Sequence, residues 1–156
     1  MRKILFLNLF FALSLSMPAQ VNIYNALIKK IKEIHPEIAT QNKVIAFNIW
    51  SLENRESREI NLSFDRAFKI YEFAKLKGGS GGFIAVAVSL EKLGASQNIA
   101  LLKDGNIKII SLSADEIQEL NATQLSNAVF DDKGNRIYQN LRSNEVVESI
   151  NKLITR

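Results

Sequence analysis

The stretch that most restricts how this chain folds is Val44-Ile45-Ala46-Phe47-Asn48-Ile49-Trp50, seven residues with one polar member, Asn48. A strand with one face in water alternates apolar and polar residues, whereas a nearly continuous apolar run suits a strand covered on both faces in the interior of a sheet. Ser51 to Asn54 then supply turn residues, and the pattern changes to a helical one. From residue 55 to residue 77, Ile60, Phe64, Ala67, Phe68, Tyr71 and Ala74 form an apolar stripe. Arg58, Asp65, Lys69 and Glu72 are expected on the opposite side. A buried strand, a tight turn and a long amphipathic helix make the layout an α/β one, with helices on both faces of a sheet.

The remaining elements fit around that unit. Ile23, Leu27, Ile31 and Ile34 recur at helical spacing, which predicts a helix over residues 22–34 ended by His35-Pro36, because proline disfavours a helical conformation in the residue before it. His35 is the only histidine and lacks companions at metal-ligand spacing, so a structural place at the helix end is expected and no metal site. Gly78-Gly79-Ser80-Gly81-Gly82 reads as a mobile turn. A phosphate cradle follows a strand and opens a helix, and this run does the reverse. A second doubly covered strand is expected over residues 83–89, a short helix over 96–103, and a third strand over 107–112. Ser113-Ala114-Asp115-Glu116 has capping-box spacing for another short helix to residue 120. Residues 128–131 and 136–140 flank Asp132-Lys133-Gly134-Asn135 as a hairpin. Val146, Val147, Ile150, Leu153 and Ile154 mark a closing helix, with Ser143 as its expected cap.

The N-terminus follows a different logic. Arg2 and Lys3 precede an apolar run over residues 4–15, broken only by Asn8 and Ser14, and Pro18-Ala19-Gln20 follow. A membrane-spanning helix needs about 20 apolar residues, so this shorter run reads as a signal peptide over residues 1–19, cleaved after Ala19 or Gln20. An exported protein, periplasmic or secreted, is therefore expected, with no membrane span once the leader is removed. The expected organisation is residues 20–42 as an N-terminal helical extension and 43–156 as one domain. Loss of Arg2 and Lys3 leaves 18 basic against 16 acidic residues, so the formal charge falls from +4 to +2. Dispersed charge of that size is no nucleic-acid footprint, because phosphate contacts need a basic stripe. The densest basic spot, Lys29, Lys30 and Lys32, reads as a solvated helix face. The chain contains no cysteine, so neither disulfide nor thiol chemistry is open to it unaided.

With these elements in order, Lys43-Val44-Ile45-Ala46-Phe47-Asn48-Ile49-Trp50 resembles the strand leading into the Trp-Cys-x-x-Cys turn of the thioredoxin-like family, in its branch of exported thiol-disulfide reductases and peroxide-reductase relatives. Residues 83–91 resemble that family's second core strand, and residues 129–137 its hairpin. The helix and strand between residues 96 and 112 match the insertion of the exported reductases. The resemblance implies a thioredoxin-like fold with a central mixed sheet, helices on both faces and an extra N-terminal helix.

Its departures fall on the chemistry. Counted from Trp50, the family's two cysteines would stand at Asn54 and Ser57, with Arg55-Glu56 between them, and no proline stands near Leu125-Ser126 where the family's cis-proline belongs. Asn54 is a good helix N-cap and not a nucleophile, and Ser57 has no adjacent base. These residues argue against an enzyme: no catalytic residue and no cofactor is expected. The leading expectation is a protein-binding or structural module using the former active-site surface, bordered by Trp50, Leu52, Glu53, Asn54, Arg55, Ser57 and Leu125, with a polypeptide as the partner. Trp50 reads equally well as core. One alternative is a cysteine-independent thioredoxin-fold transferase holding a thiol substrate near Ser57. Another is a purely structural role in which the helix over residues 22–34 docks to a neighbour.

Overall fold

The computed structural model describes residues 19–89, 94–105, 108–111 and 126–155. In chain order the elements are α1 (Ala19–Ile34), β1 (Val44–Trp50), α2 (Arg55–Tyr71), β2 (Phe83–Ser89), α3 (Ala95–Lys103), β3 (Lys108–Ser111), β4 (Asn127–Phe130), β5 (Arg136–Gln139) and α4 (Val146–Asn151). The leader expected over residues 1–19 lies almost wholly outside the described residues. So do the helix expected over residues 113–120 and Leu125.

The five strands form one mixed sheet in the order β3-β2-β1-β4-β5. β1 runs parallel to β2 along its whole length, from Val44 opposite Phe83 to Trp50 opposite Ser89. On its other side it runs antiparallel to β4, with Ile45 opposite Phe130 and Asn48 opposite Asn127. A strand with neighbours on both edges and helices on both faces has no wet side, which is why its sequence does not alternate.

The pleat divides β1 and β2 between two cores. Val44, Ala46, Trp50, Phe83, Ala85 and Ala87 face α2, α3 and α4, where Ile60, Phe64, Tyr71, Leu101 and Ile150 meet them. Three alanines on this face leave room for the large side chains of α2, and the Phe64 ring comes to rest 6.3 Å from that of Phe83. Ile45, Phe47, Ile84, Val86 and Val88 point the other way, together with Ile110 and Phe130, and are closed over by Ile23, Leu27 and Ile31 of α1. These three recur every four residues and present one stripe to the sheet. The helix read as an N-terminal extension is therefore the cover of one sheet face. Its aromatic contact is Tyr24 on Phe130, with ring centroids 5.6 Å apart.

Several local expectations change. The helix expected to reach residue 77 stops at Tyr71, with Glu72 as its C-cap, because the next residues serve another purpose. Leu76 bridges to Ile154, and Lys77 N–H donates to the Leu153 carbonyl at 2.7 Å, tying the end of the chain to this turn. Asp65, expected in solvent, is buried and paired with Lys69 at 2.6 Å. The glycine run is a close-packing device and not a loose reversal. A Cβ at Gly82, whose φ is +100°, would overlap the carbonyl oxygen of Glu72, and one at Gly79 would overlap the backbone nitrogen of Val44. Ser143 does not cap α4. Glu145 occupies that place in a helical conformation without a side-chain cap bond, and its own carboxylate accepts from Arg142 N–H at 2.9 Å. In the hairpin, Asp131 holds the reversal by accepting from the N–H groups of Lys133 and Asn135 at 2.9 and 2.8 Å.

Candidate functional site

The end of β1 delivers the chain to the surface, and the turn that follows is built by its own side chains. Asn54 has extended backbone geometry and its Oδ1 accepts the Ser57 N–H at 2.9 Å, so it caps α2. The Ser57 hydroxyl is turned inward. It donates to the Asn54 carbonyl at 2.9 Å and accepts from Ser51 N–H at 3.2 Å. Below it, the Asn48 side-chain amide donates to the Ser57 carbonyl at 2.8 Å. Asn54 and Ser57, the residues expected at the cysteine positions, thus spend their polar groups on the geometry of the turn itself. Ser57 is buried, and its hydroxyl is engaged both as donor and as acceptor.

Trp50 belongs to the core and corrects its place among the border residues. It is 1% exposed, and its indole Nε1 donates to Asp104 Oδ2 at 2.9 Å. Glu53, Asn54 and Arg55 are exposed and Leu52 is half-buried against the α2 side of the core. Arg55 pairs with Glu59 one turn along the helix at 2.8 Å. Leu125 lies outside the described residues. The next residue, Ser126, stands directly before β4, with its carbonyl accepting from Ile49 N–H at 2.8 Å. Its hydroxyl lies 3.2 Å from Asn140 Oδ1.

Two groupings at this end of the sheet escaped the sequence reading. Arg58 grips Asp104 through two of its nitrogens, Nε to Oδ2 at 2.8 Å and Nη2 to Oδ1 at 2.9 Å, on the carboxylate that also takes the Trp50 N–H. The hydrogen bonding that Arg58 donates to Asp104 raises the Arg58 pKa above its ordinary value. Burial works against the rise, and the charge of the carboxylate adds to it. The partners are 46 residues apart, and the helical spacing around Arg58 points only to a solvated face. Asn48 and Asn61 form the second grouping, both buried. Asn48 Oδ1 and Asn61 Nδ2 have no hydrogen-bond partner among the described residues. The signal was present in the lone polar residue of an apolar strand, but nothing local pointed to Asn61. Among the described residues, no group of three or more His, Asp or Glu is placed to hold a metal ion.

No sequence-family model and no characterised protein sequence matches this chain. Solved structures do. The thioredoxin domain of a thiol-disulfide oxidoreductase from Bacteroides vulgatus superposes with a TM-score of 0.62, at 13% identity, over 74% of this chain and 82% of that one. The chain has a thioredoxin-like fold. A thiol:disulfide interchange protein from Bacteroides sp. gives 0.58 at 14% identity over 72% and 73% of the two chains. A secreted disulfide oxidoreductase from Mycobacterium tuberculosis gives 0.55 at 10% identity over 73% and 84%. Likeness at such identities is likeness of fold. This thioredoxin-like chain carries that fold without a cysteine; Asn54 closes the turn after β1 as the cap of α2, and Ser57 stands in the first turn of that helix.

The cap gives a direct test of the turn. Replacing Asn54 by Ala removes the acceptor of the Ser57 N–H at the head of a 17-residue helix. Losses at such caps are typically about 1 kcal/mol. Thermal or denaturant unfolding of the Asn54→Ala variant is expected to show a loss of that order. Stability equal to the parent's would mean the amide is not the cap.

Proposed function

We propose that this chain is an exported, non-catalytic thioredoxin-like protein whose surface around the turn between β1 and α2 binds a polypeptide. The observation that carries the reading is that both residues at the redox positions are used up structurally, Asn54 as a cap and Ser57 as an internal hydroxyl bridge. A scaffold that retains the turn and lacks its nucleophile keeps a shaped surface without the reaction. Glu53, Asn54 and Arg55 form the exposed rim of that surface beside the half-buried Leu52, and Leu125 belongs to it by sequence. Export is supported by the basic pair Arg2-Lys3, the apolar run and Ala19 at a peptidase-type junction. Among the described residues no helix is long and apolar enough to cross a membrane.

The alternative, a transferase holding a thiol near Ser57, is opposed by the buried, doubly engaged hydroxyl. Calorimetry with glutathione is expected to give no heat of binding, and a measurable affinity would revive it.

The binding reading is tested by reversing two exposed charges, Glu53→Lys with Arg55→Glu, which leaves the Asn54 cap intact. A photo-reactive group placed at Leu52 in the parent should cross-link to a polypeptide of the source envelope. The same group in the charge-reversed background should lose that product. A product of equal yield in both, or from a control group at Lys152 on the far helix, would place the partner elsewhere.

A further inference from the structure

α3 is attached to the body of the protein in an unusual way. Of its nine residues only Ala100 and Leu101 are buried, while Ile99 and Leu102 are 56% and 75% exposed. Its fastening is polar and sits at one end. Asp104, the residue that closes α3, is 3% exposed and accepts three hydrogen bonds from outside its own helix. Two come from Arg58 in the first turn of α2, at 2.8 and 2.9 Å, and one from the Trp50 indole at the end of β1, at 2.9 Å. A carboxylate gripped in bidentate fashion by a guanidinium is among the stronger and more directional of polar contacts.

Glycine stands at both ends of the helix. Gly94 is the N-cap residue and offers no side-chain cap of its own; its N–H donates to Gln97 Oε1 at 3.1 Å. Gly105 follows Asp104 with φ +111°, packed so closely on Asp65 that a Cβ would lie 2.7 Å from that residue's Cβ. An element with little buried apolar surface and a concentrated polar attachment opens locally at far lower cost than the sheet beneath it.

We propose that α3 is a latched strap over Trp50, with Asp104 as the latch. Closed, it seals the indole at the end of the central strand. Open, it uncovers Trp50 together with Ala100 and Leu101 next to the turn of residues 51–54, adding an apolar strip to the already exposed Ile99 and Leu102. The device concerns access to Trp50 and stands apart from the polypeptide reading, so either can fail alone.

Trp50 is the only tryptophan in the chain, and its emission reports on the latch without interference. The experiment is amide hydrogen exchange with acrylamide quenching on the full chain, for the parent, Asp104→Asn and Arg58→Gln. In Asp104→Asn the α3 amides, including those of Asn98 and Asp104 that donate to the Gly94 and Ala100 carbonyls, are expected to exchange at least about tenfold faster. Quenching of Trp50 should rise with them, and the amides of β1 should stay at the parent rate. Arg58→Gln, on a half-exposed residue, is expected to act in the same direction to a smaller extent, because the bond from Trp50 to Asp104 remains. Equal acceleration in α3 and β1 would mean general destabilisation and overturn the latch. Unchanged α3 exchange and unchanged quenching in both variants would overturn it as well.

Discussion

Gly82→Ala is expected to destabilise the fold severely, by more than any other single substitution named above. At Gly82 the backbone has φ +100°, and an added Cβ would overlap the carbonyl oxygen of Glu72 and sit 2.6 Å from its carbon. The obstacle is backbone, so no rotamer change relieves it. Neither side of the contact is free to retreat. Glu72 is held by its N–H bond to the Phe68 carbonyl, while the Gly82 carbonyl accepts from Val44 N–H at 2.9 Å and so begins the register of β1 against β2. Residues with a Cβ at left-handed φ cost roughly 1–2 kcal/mol before any clash is counted. With the overlap, the loss is expected to exceed about 4 kcal/mol, against a total stability for such domains of about 5–15 kcal/mol. Gly94→Ala is the control. Its φ is −104°, and the nearest atom to its Cβ is the end of a flexible side chain, Gln97 Oε1 at 3.0 Å. Equal thermal midpoints for the two variants would show that the Gly82 contact yields more easily than the geometry implies.

A chain shortened to begin at Gln41 is expected to lose monomeric folding altogether. Residues 19–40 carry α1, whose Ile23, Leu27 and Ile31 are buried on one face of the sheet. Each such side chain is worth about 1.5–3 kcal/mol when fully buried, so the three together approach the whole stability of the domain. Their removal also uncovers Ile45, Phe47, Ile84, Val86, Val88 and Phe130 in one contiguous sheet face, which is a site for association. Gel filtration and circular dichroism of the shortened chain are expected to show aggregation or a non-cooperative melt. A soluble monomer with a cooperative melt would show that the sheet needs no cover on this face. The prediction bears on function too: the apolar stripe of α1 is occupied within the molecule, so it is not available for docking to a neighbour.

The strands and helices were legible because the forces that select them act over a few residues. β1 and β2 appear at the residues their apolar runs mark, and the spacing of Ile60, Phe64, Ala67 and Tyr71 identifies the inner face of α2. Asn54 was readable as a cap because capping joins groups three residues apart. The helix end at Tyr71 was not. The residues beyond it are helix-compatible, and they are diverted by Leu153, Ile154 and Thr155, which arrive from the other end of the chain. Asp65 went wrong for the same reason. Its place on the helix wheel suggests solvent, but Gly105 passes against it.

Composition and pattern alone therefore establish an α/β sheet covered on both faces, the turn after Trp50, and the absence of any thiol to react there. Those are consequences of residue type and short-range spacing. Tertiary structure alone assigns Trp50 to the core, turns the Ser57 hydroxyl inward, makes α1 the cover of one face, and joins Arg58 to Asp104. Each of these depends on which distant segments meet. A side chain's accessibility and a charge's partner are set by the three-dimensional path of the chain, and neighbouring residues carry no record of it.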